Sequence, residues 1–223
     1  QVKAQAGLGP HWPGEASMAA WFTEPLVQVN KRRLLRVRPS AAPLTEGGAE
    51  GLAELLREGA QGLDGISLEL AGCVPDTGVL AEILWEAEVS GIACKHLDLS
   101  SNSLGDEAAV AVARLVSNQA AFMDEVNLRH NEVTALGLTR LCAAFVGHRA
   151  YPRLEQTTEA SALVCAPCWL DLRSNAIDRP LEAVRVLQGK GVGTCLGQRC
   201  SRLRCVDAAP VHLACGLASQ DFS

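Results

Sequence analysis

The alternation of apolar and polar positions along this chain repeats one phrase three times, at 96–102 (His-Leu-Asp-Leu-Ser-Ser-Asn), 125–131 (Glu-Val-Asn-Leu-Arg-His-Asn) and 169–175 (Trp-Leu-Asp-Leu-Arg-Ser-Asn). In each copy two apolar residues straddle a polar one: Leu97-Asp98-Leu99, Val126-Asn127-Leu128 and Leu170-Asp171-Leu172. That period of two predicts a short strand with one face buried. Three positions after the second apolar residue stands Asn102, Asn131 or Asn175, and two further on Leu104, Val133 or Ile177. An unpaired buried peptide group is costly, so the aligned asparagines predict side-chain amides that satisfy the backbone where the chain turns off the strand.

The register extends backward: Leu70 lies 29 residues before Leu99, and Leu99 lies 29 before Leu128. In the copy Leu68-Glu69-Leu70 the asparagine position is held by Cys73, and an older copy reads Leu35-Arg36-Val37, followed by Leu44. After each strand, apolar residues recur at helical spacing: Leu52, Leu55 and Leu56; Leu80, Ile83 and Leu84; Val112, Leu115 and Val116; Leu138, Leu141 and Phe145. Each unit therefore reads strand, turn, helix. One such unit cannot bury both its strand face and its helix stripe, so about five units must stack into one core.

The pattern Leu-x-Leu-x-x-Asn-x-Leu, followed by an alanine-rich helix from Gly105 to Val116, resembles the ribonuclease-inhibitor class of leucine-rich repeats over roughly Leu34 to Leu187. The resemblance implies an α/β fold: a right-handed solenoid arc with parallel strands on its concave face and helices on its convex face. It implies no inhibition of a ribonuclease, because the fold is shared by many unrelated binders. The expected organisation is an N-terminal extension or cap at 1–33, the repeat solenoid at 34–190 with an insertion near 148–167, and a cysteine-containing cap or tail at 191–223. The insertion follows from spacing, which lengthens from 29 to 44 residues between Leu128 and Leu172. Insertions in solenoids emerge as loops, often beside a binding face.

Composition agrees with one extended domain: 223 residues, 48% of them hydrophobic and only 4% aromatic, so small apolar side chains fill the stacked interior. A start at Gln1 without methionine suits a processed product or an excerpt of a longer chain. No run of about eighteen apolar residues and no charged-then-hydrophobic leader is visible, so neither a membrane span nor a signal peptide is expected. The compartment expected is cytoplasmic or nuclear.

The net charge of −5 is unevenly spread. Between Glu46 and Glu125 stand fifteen acids and three bases, preceded by Lys31, Arg32, Arg33, Arg36 and Arg38 and followed by a basic run from Arg179 to Arg204. Basic ends would suit an anionic partner such as RNA, but no aromatic-interleaved motif for stacking bases accompanies them. Such runs on helical repeats are ordinarily solvated outer faces.

Nine cysteines exclude a complete set of internal disulfides. Cys73 and Cys142 fall at positions expected to be buried. Cys165 and Cys168 have the spacing of a metal knuckle or redox pair, yet they lead into a strand, where no helix dipole would activate a thiol. Cys195, Cys200, Cys205, His212 and Cys215 could supply soft ligands that hold zinc tetrahedrally and pin a tail too poor in apolar residues to fold alone, although their spacing matches no strong zinc signature. Otherwise no cofactor is expected.

Catalytic motifs for a serine hydrolase, a zinc protease or a nucleotide-binding loop are absent from the sequence. His96 and His130 could meet Asp98 or Asp124 across the sheet. The alternation instead directs Arg36, Glu69, Asp98, Ser100, Asn127, Arg129, Asp171 and Arg173 out of the concave sheet, with Trp169 at its edge. Arginine and tryptophan are favoured interface anchors, so Arg129, Arg173 and Trp169 lead the expected partner contacts, and Asp98, Asn127 and Asp171 complete a set of six. Replacing Arg129 and Arg173 together is expected to weaken partner binding while leaving the fold intact. The function expected is non-enzymatic binding of a protein partner through the concave face and the inserted loop. The alternatives are a structural subunit of a larger assembly, a regulatory segment of a longer, nuclease-containing RNA-processing protein, and a small enzyme.

Overall fold

A computed structural model describes residues 26–29, 34–39, 43–44, 46–59, 63–156, 163–197, 200, 205 and 209–214. Five successive strand–helix units form its body: β2 (Leu34–Arg38) with α1 (Glu46–Gly59), β3 (Gly65–Glu69) with α2 (Thr77–Val89), β4 (Cys94–Asp98) with α3 (Asp106–Asn118), β5 (Glu125–Asn127) with α4 (Ala135–Val146), and β8 (Cys168–Asp171) with α5 (Pro180–Gly189). These five strands pair in parallel, each beside the next. Before them β1 (Leu26–Val29) pairs antiparallel with β2, closing the N-terminal side of the sheet.

The register lines up one apolar position across the units. Val37 pairs with Leu68, Leu68 with Leu97, Leu97 with Val126 and Val126 with Leu170, and all are buried. This row meets the helix stripes at Leu52, Leu80, Ile83, Val112, Leu138, Leu141 and Phe145 in one continuous core. The stacking that neighbouring units require is thus achieved: each buries its strand face under its own helix and shares its sides with the units beside it.

The asparagines hold the turns together. Asn131 Nδ2 donates to the carbonyls of Leu99 and Leu128 at 2.9 and 3.0 Å, while its Oδ1 accepts from the Asn102 and Leu104 N–H groups at 3.0 and 2.9 Å. Asn102 Nδ2 bridges Leu70 and Leu99 in the same way, and Asn175 Nδ2 bridges Leu128 and Leu172. At the earlier copy Cys73 offers no amide; its backbone carbonyl accepts from Leu44 N–H at 2.6 Å instead.

The residue before each asparagine or its substitute is left-handed: Gly72, Ser101, His130 and Ser174 have φ of 63, 60, 55 and 58°. Glycine adopts this corner without steric cost, whereas the other three side chains oppose it. The turn survives because its N–H groups continue the sheet ladder, from Gly72 to Ser100, from Ser101 to Arg129 and from His130 to Arg173.

A second contact between units runs through helix ends. Asp106, in the first turn of α3, accepts from Thr134 N–H, Gly137 N–H and the Thr134 hydroxyl at 2.8, 3.0 and 2.6 Å, so it caps the start of α4. The approach is close: a Cβ on Gly137 would lie 2.5 Å from Asp106 Oδ1. Burial alone would raise the Asp106 pKa, but the hydrogen bonds from Thr134 and Gly137 outweigh it and hold the carboxyl below its ordinary range. A carboxylate depressed in the folded state stabilises fully above its unfolded pKa of about 3.9, and that stability is lost as pH falls through the folded value. Asp106→Asn is therefore expected to cost about 1 kcal/mol at neutral pH and to remove part of the acid sensitivity. Urea midpoints of the two proteins should converge on acidification; parallel curves would contradict this.

The insertion is a hairpin, not the loop its spacing suggested. β6 (Arg153–Gln156) pairs antiparallel with β7 (Leu163–Ala166) in a separate two-stranded sheet. Its base is anchored below α4: Tyr151 stacks edge-on to Phe145 and accepts from Met123 N–H at 2.7 Å, and Arg153 pairs with Asp124 at 3.0 Å over the Phe122 ring. The C-terminal segment also enters the main sheet. β10 (Val211–Ala214) lies between β8 and β9 (Thr194–Cys195), parallel to both, so the later strand occupies the place beside β8.

Candidate functional site

Paired residues of parallel strands share a face, so the register also fixes what the sheet presents on the side away from its helices. One row runs Arg36, Ser67, His96, Glu125, Trp169 and His212. Across the buried row lies a second, Glu69, Asp98, Asn127 and Asp171. Between β2 and β5 the two rows line a groove of about 330 Å³, with the carboxylates of Glu69, Asp98 and Glu125 in it. Arg36 and Arg38 both pair with Glu69 at the groove's N-terminal side.

The six expected contacts all lie on or just beyond this face, with different tasks. Asp98, Asn127 and Asp171 each turn a side-chain oxygen onto the backbone two residues ahead, accepting from Ser100, Arg129 and Arg173 N–H at 3.0, 3.1 and 3.1 Å. They fasten the turn as well as facing outward, a local device typical of these residue types. Asp171 is only 6% exposed, and Arg173 Nε donates to both its oxygens, at 2.9 and 3.1 Å. Hydrogen bonding to Asp171 and its charge push the Arg173 pKa up. The expectation that Arg173 can be replaced without harm to the fold is thus corrected: its loss would leave a buried carboxylate uncompensated. Arg129 is exposed, and its guanidinium has no partner among the described residues. Trp169 is half-buried and stacks on His212 with ring centroids 4.0 Å apart.

His96 Nδ1 lies 4.0 Å from Glu125, its neighbour along the row. His130 occupies a left-handed turn position that defines its backbone role. Arg36 and Glu69, which the alternation also directs outward, line the groove; Glu125 beside them is not among the expected outward residues, although the same alternation places it on this face.

The cysteines separate into two environments. Cys73, Cys94, Cys142 and Cys168 are packed in the main core, and burial pushes the Cys73 and Cys94 thiols up to about 11 and 12. Cys168 rises well above its ordinary value, from burial first and then the nearby carboxylates of Asp124 and Glu125. Cys165 points elsewhere, into a small cluster with Cys195, Cys205 and Ala209, against which Cys200 packs. The two-residue spacing of Cys165 and Cys168 therefore forms neither a knuckle nor a redox pair. Of the five ligands considered for zinc, Cys195, Cys200 and Cys205 come together, with sulfurs all within 4.8 Å of one another. His212 is turned onto Trp169, and Cys215 lies outside the described residues.

A family model described as Leucine Rich repeat matches residues 95–113, from the second residue of β4 through the buried stripe of α3. The chain carries a leucine-rich repeat of the ribonuclease-inhibitor-like type, and its parallel sheet of alternating strands and helices extends that architecture to the neighbouring units. Leucine-rich repeats are typically protein-interaction modules and are generally not catalytic. No curated protein matches the chain. Among the described residues no helix is long and apolar enough to cross a membrane.

Proposed function

We propose that this chain is a non-enzymatic recognition module that receives a protein partner on the open face of its sheet, with the β6–β7 hairpin as a second contact. The observation that carries the reading is two largely polar rows held in register, one across five parallel strands and the other across four, beside a continuous apolar row that fixes their spacing. Such a wall offers many positions of defined chemistry on a rigid support. Its acidic centre at Glu69, Asp98 and Glu125 suits basic groups on the partner. Arg129 supplies an uncommitted planar donor, and Leu154, 61% exposed on the hairpin, supplies an apolar anchor.

The test is quantitative affinity capture with the chain as bait, comparing the native protein with Arg129→Glu and with Leu154→Asp. Neither change removes a contact made by the folded chain's interior. Each is expected to lower recovery of a specific protein partner by about tenfold or more, the equivalent of about 1.4 kcal/mol. Capture unaffected by both substitutions would sink the reading.

A second reading, a subunit held in a larger assembly by its helices, is favoured by one specific feature. Trp85, Val89, Val110 and Leu136 are exposed on the helical side, and Arg114 lies over the Trp85 ring at 4.6 Å. Trp85→Glu would abolish capture in that case, while the two sheet-side changes would not.

A further inference from the structure

Four cysteines meet where the hairpin touches the C-terminal segment, and this small cluster lies apart from the main core. Cys195 and Cys200 sulfurs are 3.3 Å apart, and those of Cys200 and Cys205 are 3.9 Å apart. These separations are far longer than a disulfide bond of about 2.05 Å. They lie near the edge of about 3.8 Å that a tetrahedron of sulfurs must have when each is about 2.3 Å from a central zinc ion. Gly197 N–H points at the Cys195 sulfur at 3.2 Å, a contact that favours a thiolate. Cys165 reaches the cluster from the other chain segment, where its backbone carbonyl accepts from Cys205 N–H at 2.8 Å.

The cluster is also a poor apolar core. Among the described residues its only other buried member is Ala209, so little of the hydrocarbon described there joins the hairpin to the tail. Cys195 and Cys205 are nonetheless 1% and 5% exposed. Thiols converging from separate segments, buried with little apolar company, are the donor set of a structural metal site.

We propose that Cys165, Cys195, Cys200 and Cys205 bind one zinc ion in a closed tetrahedral site that clamps the β6–β7 hairpin to the C-terminal segment. The last three are already convergent. The Cys165 sulfur now faces the Ala209 carbonyl at 3.8 Å and completes the set by side-chain rotation on binding. On binding, four S–H groups release four protons to solvent, and the four thiolates with one divalent cation leave a net charge of −2. His212, beside Cys195 in the sheet register, stacks on Trp169 and stands outside the convergent thiols. The clamp does not depend on the interaction function. It would, however, keep the hairpin's outer surface in fixed relation to the last strands of the sheet.

The experiment is elemental analysis of the whole chain purified under reducing conditions, followed by replacement of zinc with cobalt(II). One zinc per chain is expected, and the cobalt form should show the thiolate charge-transfer absorption and intense visible bands of tetrahedral sulfur coordination. Cys200→Ser and Cys165→Ser are each expected to weaken zinc binding by about a hundredfold or more, whereas Cys73→Ala, outside the cluster, leaves it unchanged. Because a serine variant can fail to fold, the native protein is also alkylated with and without zinc and mapped by peptide. Selective protection of Cys165, Cys195, Cys200 and Cys205 is expected. A folded, reduced chain that takes up neither metal overturns the proposal. So does protection of Cys215 in place of Cys165, or loss of binding in His212→Phe with none in Cys165→Ser.

Discussion

Asn131→Ala is expected to lower the free energy of unfolding by about 3 kcal/mol, as read from urea midpoints at constant denaturant slope. The asparagine is 7% exposed, and its amide serves both neighbouring turns. Alanine would strand the N–H groups of Asn102 and Leu104 and take a donor from the carbonyls of Leu99 and Leu128. Each unsatisfied buried group costs about 1–3 kcal/mol before relaxation. Asn131→Asp tests the same point from the donor side: the carboxylate keeps the acceptor but loses both donated bonds. A loss below about 1 kcal/mol for the alanine variant would mean that the turns are held by packing and not by the amide.

A comparable loss, about 4 kcal/mol, is expected for Phe145→Ala. Phe145 is fully buried on α4 and lies 5.1 Å from the Tyr151 ring at an interplanar angle of 87°. Its removal opens a cavity at the junction between the fourth unit and the insertion, where Tyr151 also holds Phe122 and the Met123 N–H group. The effect should extend beyond global stability: amide hydrogen exchange in 153–156 and 163–166 should quicken more than in β3 or β4. Val146→Ala, next in sequence but partly exposed, is the matched control and should change stability by less than about 0.5 kcal/mol. Equal effects at the two positions would remove Phe145 as the anchor of the insertion.

What the sequence revealed depended on repetition. Leu97, Val126 and Leu170 could be aligned by eye because each copy carries the same neighbours, and Asn102, Asn131 and Asn175 marked their turns in the same way. The helix stripes followed from spacing alone. Features that occur once were harder to see. The pairing of Arg153–Gln156 with Leu163–Ala166 rests on two short segments without a repeated counterpart, so a lengthened spacing read simply as a loop. The placement of β10 between β8 and β9 is a long-range choice among strands of four, four and two residues, too short for alternation to declare their order.

The site was legible to a similar degree. Alternation placed Asp98, Asn127, Asp171 and Trp169 on the sheet face away from the helices, but it could not show that Arg173 is spent on Asp171 while Arg129 is not. The contact between Asp106 and the start of α4 did leave a trace: Asp106 and Thr134 lie 28 residues apart, one short of the repeat, as neighbours on adjoining units should. Cys165 and Cys168 are two residues apart, yet strand geometry sends their side chains to different places, and the company that Cys165 keeps, with Cys195 and Cys205, leaves no trace in local spacing.

The asparagine wiring has a direction. Every amide oxygen takes its hydrogen from the preceding unit: Asn102 from Val74, Asn131 from Asn102 and Leu104, and Asn175 from Val133. A unit shorn from the beginning of the stack leaves spare lone pairs, which water fills readily, and one side-chain amide hydrogen without its carbonyl, but no orphaned backbone hydrogen in that turn. A unit shorn from the far end orphans hydrogens in the one before it. The array is thus a one-way chain of dependence in which each turn is underwritten by its successor, and fraying that starts at the C-terminal side has a route inward that the N-terminal side lacks.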